Sequence, residues 1–322
     1  MGKRVAIAVL WVIALAAAGA QAQPVWPGKL IRIVVPFAAG SFTDIAARSL
    51  AAELTAQLGQ QVVVENRVGA GGTLGTEVVA KAPGDGYTLL LSDNSFAMAP
   101  GLYQKLSYDP GKDFIQITQI AESPSLLVAR LGLPARNLKA LVDLARAKPG
   151  ELTFGSGGVG SSAHLAAELL MSVARIKMTH VPFKGVVLSV AEVVGERIDM
   201  SIASLASGMT MVTAGKVQGF GVSGRERSTV LPMVPTFAEA GFAGYDMSYW
   251  WGIAAPAGTP PQVVSKLNQE IARAAEKARV KESFEKQGAR AVTTSGAEWS
   301  RRVDDETKVW RSVIVKAGVR LE

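Results

Sequence analysis

Apolar runs too short to be helices alternate along most of this chain with stretches of helical periodicity, and that alternation limits the fold more than any other feature. Residues 31–35, 62–65, 88–92 and 115–120 have strand length and are rich in Val, Ile and Leu. Between the first two, Ala46, Leu50, Leu54 and Leu58 recur every four residues, which puts them on one helical face. Strand, helix, strand in succession requires a crossover, and crossovers build parallel sheets. A second series predicts strands at 126–129, 153–155, 178–181, 200–203 and 217–222, with helices near 138–147, 161–173 and 187–194. Lys148-Pro149-Gly150 is a stop between helix and strand. Two α/β sheets fit this order better than one.

The character changes after Tyr249-Trp250-Trp251-Gly252-Ile253-Ala254-Ala255. Thr259-Pro260-Pro261-Gln262 reads as a capping-box start with Pro at the first helical position, and Ser295-x-x-Glu298 as another. Both predict helices that end the chain without a third sheet.

Chemistry is bounded by what is scarce. The 322 residues contain no Cys and two His, His164 and His180. Disulfides, thiolate metal centres and a cysteine nucleophile are therefore excluded, and zinc or triad chemistry has little to recruit. No phosphate loop, Gly-x-Ser-x-Gly elbow or His-Glu-x-x-His occurs. We expect no metal and no cofactor. The net charge of +7 comes from scattered Lys and Arg, which argues against a nucleic-acid partner. Lys3 and Arg4, the apolar run 5–18 and Ala20-Gln21-Ala22 fit a cleaved export signal over residues 1–22. The run is shorter than the ~20 residues that span a bilayer, so a soluble, exported, mildly basic protein is expected.

Strand after strand ends in a small, hydroxyl-rich loop that leads into a helix. The loops are Pro36-Phe37-Ala38-Ala39-Gly40-Ser41-Phe42-Thr43-Asp44, Ser92-Asp93-Asn94-Ser95, Gly155-Ser156-Gly157-Gly158-Val159-Gly160-Ser161-Ser162 and Ala203-Ser204-Leu205-Ala206-Ser207. Ligands of open α/β sheets sit outside the carboxyl ends of strands, and helix starts attract anions through unpaired N–H groups. The same residue types are also ordinary caps and turns; recurrence at four strand ends points to a carboxylate site. Gly155-x-Gly157-x-x-Gly160 meets the dinucleotide fingerprint, yet the following strand has no acid to hold a ribose. An exported nicotinamide-dependent oxidoreductase is therefore an alternative on this one loop. Phe37, Phe42, Phe183 and Trp251 are aromatic residues for either pocket wall or core.

Further stretches carry a resemblance. They are Val63-Val64-Glu65-Asn66-Arg67-Val68-Gly69-Ala70-Gly71-Gly72, Gly84-Asp85-Gly86-Tyr87-Thr88, Tyr108-Asp109-Pro110 with Asp113-Phe114, His180-Val181-Pro182-Phe183-Lys184-Gly185, and Val234-Pro235-Thr236-Phe237. With the loops above, in this order, the chain resembles the Bug family of periplasmic solute receptors, the substrate-binding components of tripartite tricarboxylate transporters. The resemblance implies a two-lobed periplasmic binding protein of type II, a Venus flytrap with a parallel-rich sheet in each lobe. Lobe 1 would comprise 23–124 and 243–322, and lobe 2 residues 125–242. The implied protein is no enzyme: a periplasmic monomer that captures a small carboxylate and delivers it to membrane permease subunits, or presents it to a signalling receptor.

Carried over by position, the implied ligand contacts are Phe37, Ala39, Gly40, Ser41, Thr43, Asp44, Ser92 and Asn94 from lobe 1. Lobe 2 would add Ser156, Gly157, Gly160, Ser161, His164, Phe183, Lys184, Gly185 and Ser204. Three departures stand out. Gly40-Ser41 replaces a common Gly-Gly, Ala99-Pro100-Gly101 replaces Asn-Pro, and Ile202-Ala203 replaces Phe-Asp. The last removes an acid that would pair with a ligand amine, which argues against an amino acid.

Overall fold

A computed structural model describes residues 26–319. The export signal expected at 1–22 lies outside the described residues. The chain forms β1 (Ile31–Val35), α1 (Phe42–Leu58), β2 (Val62–Asn66), α2 (Thr73–Ala80), β3 (Thr88–Asp93) and α3 (Ser95–Leu102). Then come β4 (Phe114–Ala129), α4 (Leu138–Ala147), β5 (Thr153–Ser156), α5 (Ser162–Ala174), β6 (Thr179–Pro182), α6 (Val186–Val194), β7 (Met200–Ser204), α7 (Leu205–Thr213) and β8 (Gln218–Val222). β9 (Ser248–Pro256), α8 (Pro261–Ala275), α9 (Ala278–Glu285), β10 (Arg290–Ala291) and α10 (Gly296–Ala317) follow.

Two parallel cores, β2-β1-β3 and β6-β5-β7, are joined by antiparallel strands into a two-lobed α/β architecture. The runs expected as separate strands at 115–120 and 126–129 are one strand of 16 residues, β4. From Phe114 to Pro124 it pairs with β9, and from Ser125 onward with β7 and β8. One continuous strand thus serves both sheets.

The C-terminal third adds no third sheet among the described residues, but it does supply strands to the first lobe's sheet. β9 inserts between β3 and β4, antiparallel to both. Its residues are buried on both faces, so the apolar run lacks the alternation that marks a half-exposed strand. Trp250 packs edge-on against Trp299 of α10, with ring centroids 4.7 Å apart. A side chain at Gly252 would collide with the Trp299 ring, which explains the glycine at the centre of this strand.

Local chemistry sets the helix starts. Ala46, Leu50 and Leu54 of α1 are buried as the periodicity predicts, each leucine worth about 1.5–3 kcal/mol of transfer energy. The Ser295 capping box forms as read. The one at Thr259 does not: its hydroxyl donates to Pro256 O at 2.7 Å, and Pro260 stands at the N-cap.

Candidate functional site: a cleft at four helix starts

A cavity of about 630 Å³ lies where β1, β3, β5 and β7 end, lined from both lobes. The helices that follow β1, β5 and β7, together with α6, begin in its wall. The first turn of a helix leaves backbone N–H groups without partners inside the helix. Ser41 accepts only from Asp44 N, and Ser161 only from His164 N. The N-cap of α6 is Gly185, which has no side chain to accept from any. Phe42 and Thr43, Ser162 and Ala163, and Val186, Val187 and Leu188 therefore bring unsatisfied N–H groups to the cavity they line. These groups and the positive helix ends attract an anion without any arginine.

The two lobes prepare this arrangement with the same device. In Gly40-Ser41-Phe42-Thr43-Asp44, Gly40 has φ +82° and its N–H donates to Asp44 Oδ2 at 3.0 Å. In Gly160-Ser161-Ser162-Ala163-His164, Gly160 has φ +80° and its N–H donates to His164 Nδ1 at 3.1 Å. The serines are N-caps of nearly equal backbone geometry, ψ 157° and 159°. Each glycine takes a left-handed turn open to few other residues, and the side chain four residues on pins it. Burial alone would raise the Asp44 carboxyl. Hydrogen bonds from Arg48, Gly40 N–H and Asn66 outweigh that and hold it below the usual range. Because His164 accepts at Nδ1, its proton sits on Nε2, 3.5 Å from Glu168 Oε1.

Of the residues expected as ligand contacts, Phe37, Ala39, Ser41, Thr43, Gly157, Ser161, Phe183, Lys184, Gly185 and Ser204 line the cavity. Gly40, Asp44, Gly160 and His164 belong to the pinning layer behind it, and the Gly40 and Gly160 N–H groups are already used. Ser156 is also behind the wall. Its hydroxyl meets His180 Nε2 at 2.7 Å and accepts from Gly158 N, shaping the 157–161 loop. Ser92 is buried in β3 opposite Gly252. Asn94 ties β3 to β9 and α10: Oδ1 accepts from Trp250 N at 3.0 Å, and Nδ2 donates to Ser248 O and Glu306 Oε2. Ser41 uses its hydroxyl as a cap acceptor, which is what the departure from Gly-Gly contributes.

Successive residues of a strand face opposite sides, and this separates Asp93 from Ser92; Asn94 already stands at the N-cap of α3. Asp93, not its neighbours, lines the cavity, so an acid does face it, from the lobe opposite Ala203. The same alternation turns Tyr249 and Trp251 to the cavity and Trp250 away. Trp251 Nε1 donates to Thr43 Oγ1 at 3.0 Å, and its ring lies 4.2 Å from that of Phe42. Phe37, Phe42, Phe183 and Trp251 all form cavity wall, Phe42 and Trp251 being core as well. The 68–72 loop and Tyr103 also line the cavity. Gly71 has φ +62°, and a methyl there would stand 3.1 Å from Val159 O in the other lobe. Backbone meets backbone at that point. Tyr103 steadies the loop by donating to Ala70 O at 2.8 Å.

Beneath the lobe 2 loop, His164 and His180 stack with centroids 3.9 Å apart, and His180 lies 4.8 Å from Phe154. Burial, with a lesser electrostatic contribution from the neighbouring His164 ring, depresses His180 to about 4.

With the site described, its relatives can be compared. The profile of the tripartite tricarboxylate transporter family receptor matches residues 46–319. Protein BugT of Bordetella pertussis is 34% identical, the alignment covering 92% of this chain and 92% of BugT. Among solved structures, R. palustris Rpa4515 with adipate superposes with a TM-score of 0.87 at 32% identity, covering 92% of this chain and all of that one. MatC from Rhodopseudomonas palustris with bound malate gives 0.85 at 32%, covering 90% of this chain and all of MatC. The two-lobed architecture is thus that of the periplasmic binding proteins. The chain belongs to the tripartite tricarboxylate transporter receptor family.

Proposed function

We propose that this protein is an exported, periplasmic solute-binding protein that captures a small organic carboxylate between its lobes and delivers it to the permease subunits of a tripartite tricarboxylate transporter. The observation that carries this reading is the convergence of uncapped N–H groups from α1, α5 and α6 on one cavity lined by both lobes. Each hydrogen bond to a charged group contributes ~1.5–3 kcal/mol, and each helix start adds ~0.3–1. A handful reaches the ~8 kcal/mol of micromolar binding after ordering losses. The adipate and malate held by Rpa4515 and MatC are of the matching chemical class.

The protein acts by binding and not by turnover, as a monomer. Lobe 1 comprises 23–124 with 243–322, and lobe 2 residues 125–242. The change of β4 partners between Pro124 and Ser125 supports the first boundary. The bridge between Val222 and Thr236 keeps the segment before the second boundary with lobe 2. A ligand touching both lobes favours the closed arrangement by its differential contacts.

Thermal denaturation of the purified protein with a panel of mono-, di- and tricarboxylates tests this. At least one acid raises the midpoint, since a ligand at a hundred times its Kd adds about 2.7 kcal/mol. A panel without any shift, or an acid that is consumed, contradicts the reading.

A further inference from the structure

Asp93 closes β3 with its carboxyl in the cavity wall, and the fold uses only half of it. Oδ1 accepts from the N–H and the hydroxyl of Ser95, at 2.9 and 2.6 Å. Among the described residues, none forms a hydrogen bond to Oδ2. Ser162, on the first turn of α5 in the other lobe, lines the same cavity. Its hydroxyl is fully buried and has no hydrogen-bond partner among the described residues. It lies close enough to Asp93 to favour the charged carboxylate, but without the geometry of a hydrogen bond. A buried polar group left unpaired costs about 1–3 kcal/mol. The Ser162 hydroxyl is such a group, and across the cavity wall the half-buried Asp93 from the other lobe keeps Oδ2 without a protein donor among the described residues.

The surroundings offer them little else. Tyr103 and Tyr249 donate their hydroxyls to Ala70 O and Ile202 O. Lys184, the other charged group of the lining, is exposed. Burial pushes the Asp93 carboxyl up, against the pull of the Ser95 N–H and of the Ser95 and Ser162 hydroxyls. A carboxylate seated on the helix starts adds a second negative charge to the same cavity, and the two repel unless a proton donor lies between them.

We propose that Asp93 and Ser162 form a polar subsite that selects carboxylates bearing a hydrogen-bond donor, a hydroxyl or an ammonium, on the carbon chain. This rests on the proposed carboxylate receptor and names its substrate class. Asp93 accepts the donor through Oδ2, and Ser162 donates to the oxygen of a hydroxyl or, for an ammonium, turns its lone pair to it.

Calorimetry on matched acids tests the subsite: succinate, malate and aspartate; propionate, lactate and alanine; phenylacetate, mandelate and phenylglycine. In at least one series a donor-bearing acid binds about tenfold or more tightly than its parent. Comparing hydroxyl with amino members identifies the donor. Asp93→Ser keeps an oxygen for the start of α3 and brings the members within about threefold, while Ser162→Ala narrows the gap at an unchanged melting temperature. Parents that bind as well as their donor-bearing partners overturn the subsite but leave the receptor standing, as does an Asp93→Ser variant that weakens every acid equally. If no acid binds at all, the receptor reading fails and the subsite with it.

Discussion

Asp44 shows how a charged residue can order an anion-attracting loop through the backbone. Its carboxylate accepts from Gly40 N–H, from Arg48 and from Asn66, and so fixes the turn that presents the start of α1. Asp44→Ala leaves these donors without their acceptor, and ligand affinity falls by about tenfold or more; titration calorimetry reads this, and an unchanged Kd contradicts it. His180 makes the corresponding statement about pH. Its folded value near 4 lies below the ordinary 6.5, so between these values the unfolded chain binds the proton and the folded chain does not. Stability is retained above 6.5 and lost as pH falls toward 4. His180→Phe keeps an aromatic ring in the stack but cannot titrate. Its melting temperature falls less between pH 7 and 4.5 than that of the parent protein, and parallel curves contradict the assignment.

Among the elements, the 68–72 loop brings backbone of one lobe against backbone of the other at Gly71. Gly71→Val places a side chain at a left-handed position, which costs about 1–2 kcal/mol, and drives it toward Val159 O. The backbone strain lowers the melting temperature by a few degrees, and we expect affinity to drop about tenfold or more besides, because the approach to Val159 O opposes closure. Equal affinity would show that the loop does not limit closure. At this scale the strands and helices were largely legible. β1 and α4 have the bounds read from the sequence, β1 as an apolar run too short for a helix and α4 as a helix with one buried face. β9 was not read as a strand: like β3 it is buried on both faces and lacks alternation, and its run is built on Tyr, Trp and Ala rather than on the Val, Ile and Leu that marked the others. The join of 115–120 to 126–129 was hidden by the polar stretch around Pro124, which the change of sheet partners accommodates.

For the whole molecule, four strand-end loops at one cleft were readable from residue types, since hydroxyls and glycines mark helix starts wherever they occur. Which atoms face the cleft was not readable. Gly40, Asp44, Gly160 and His164 hydrogen-bond within their loops, and Asp93 became distinct from Ser92 only once β3 had a face. The account depends on neutral backbone donors from two lobes recognising a negative charge. Calorimetry comparing the tightest-binding acid with its primary amide tests this most directly, because the two share shape and differ in charge. The account predicts that the amide binds at least about 100-fold more weakly, as the loss of two charge-assisted hydrogen bonds requires. An amide that binds as tightly as the acid would contradict it.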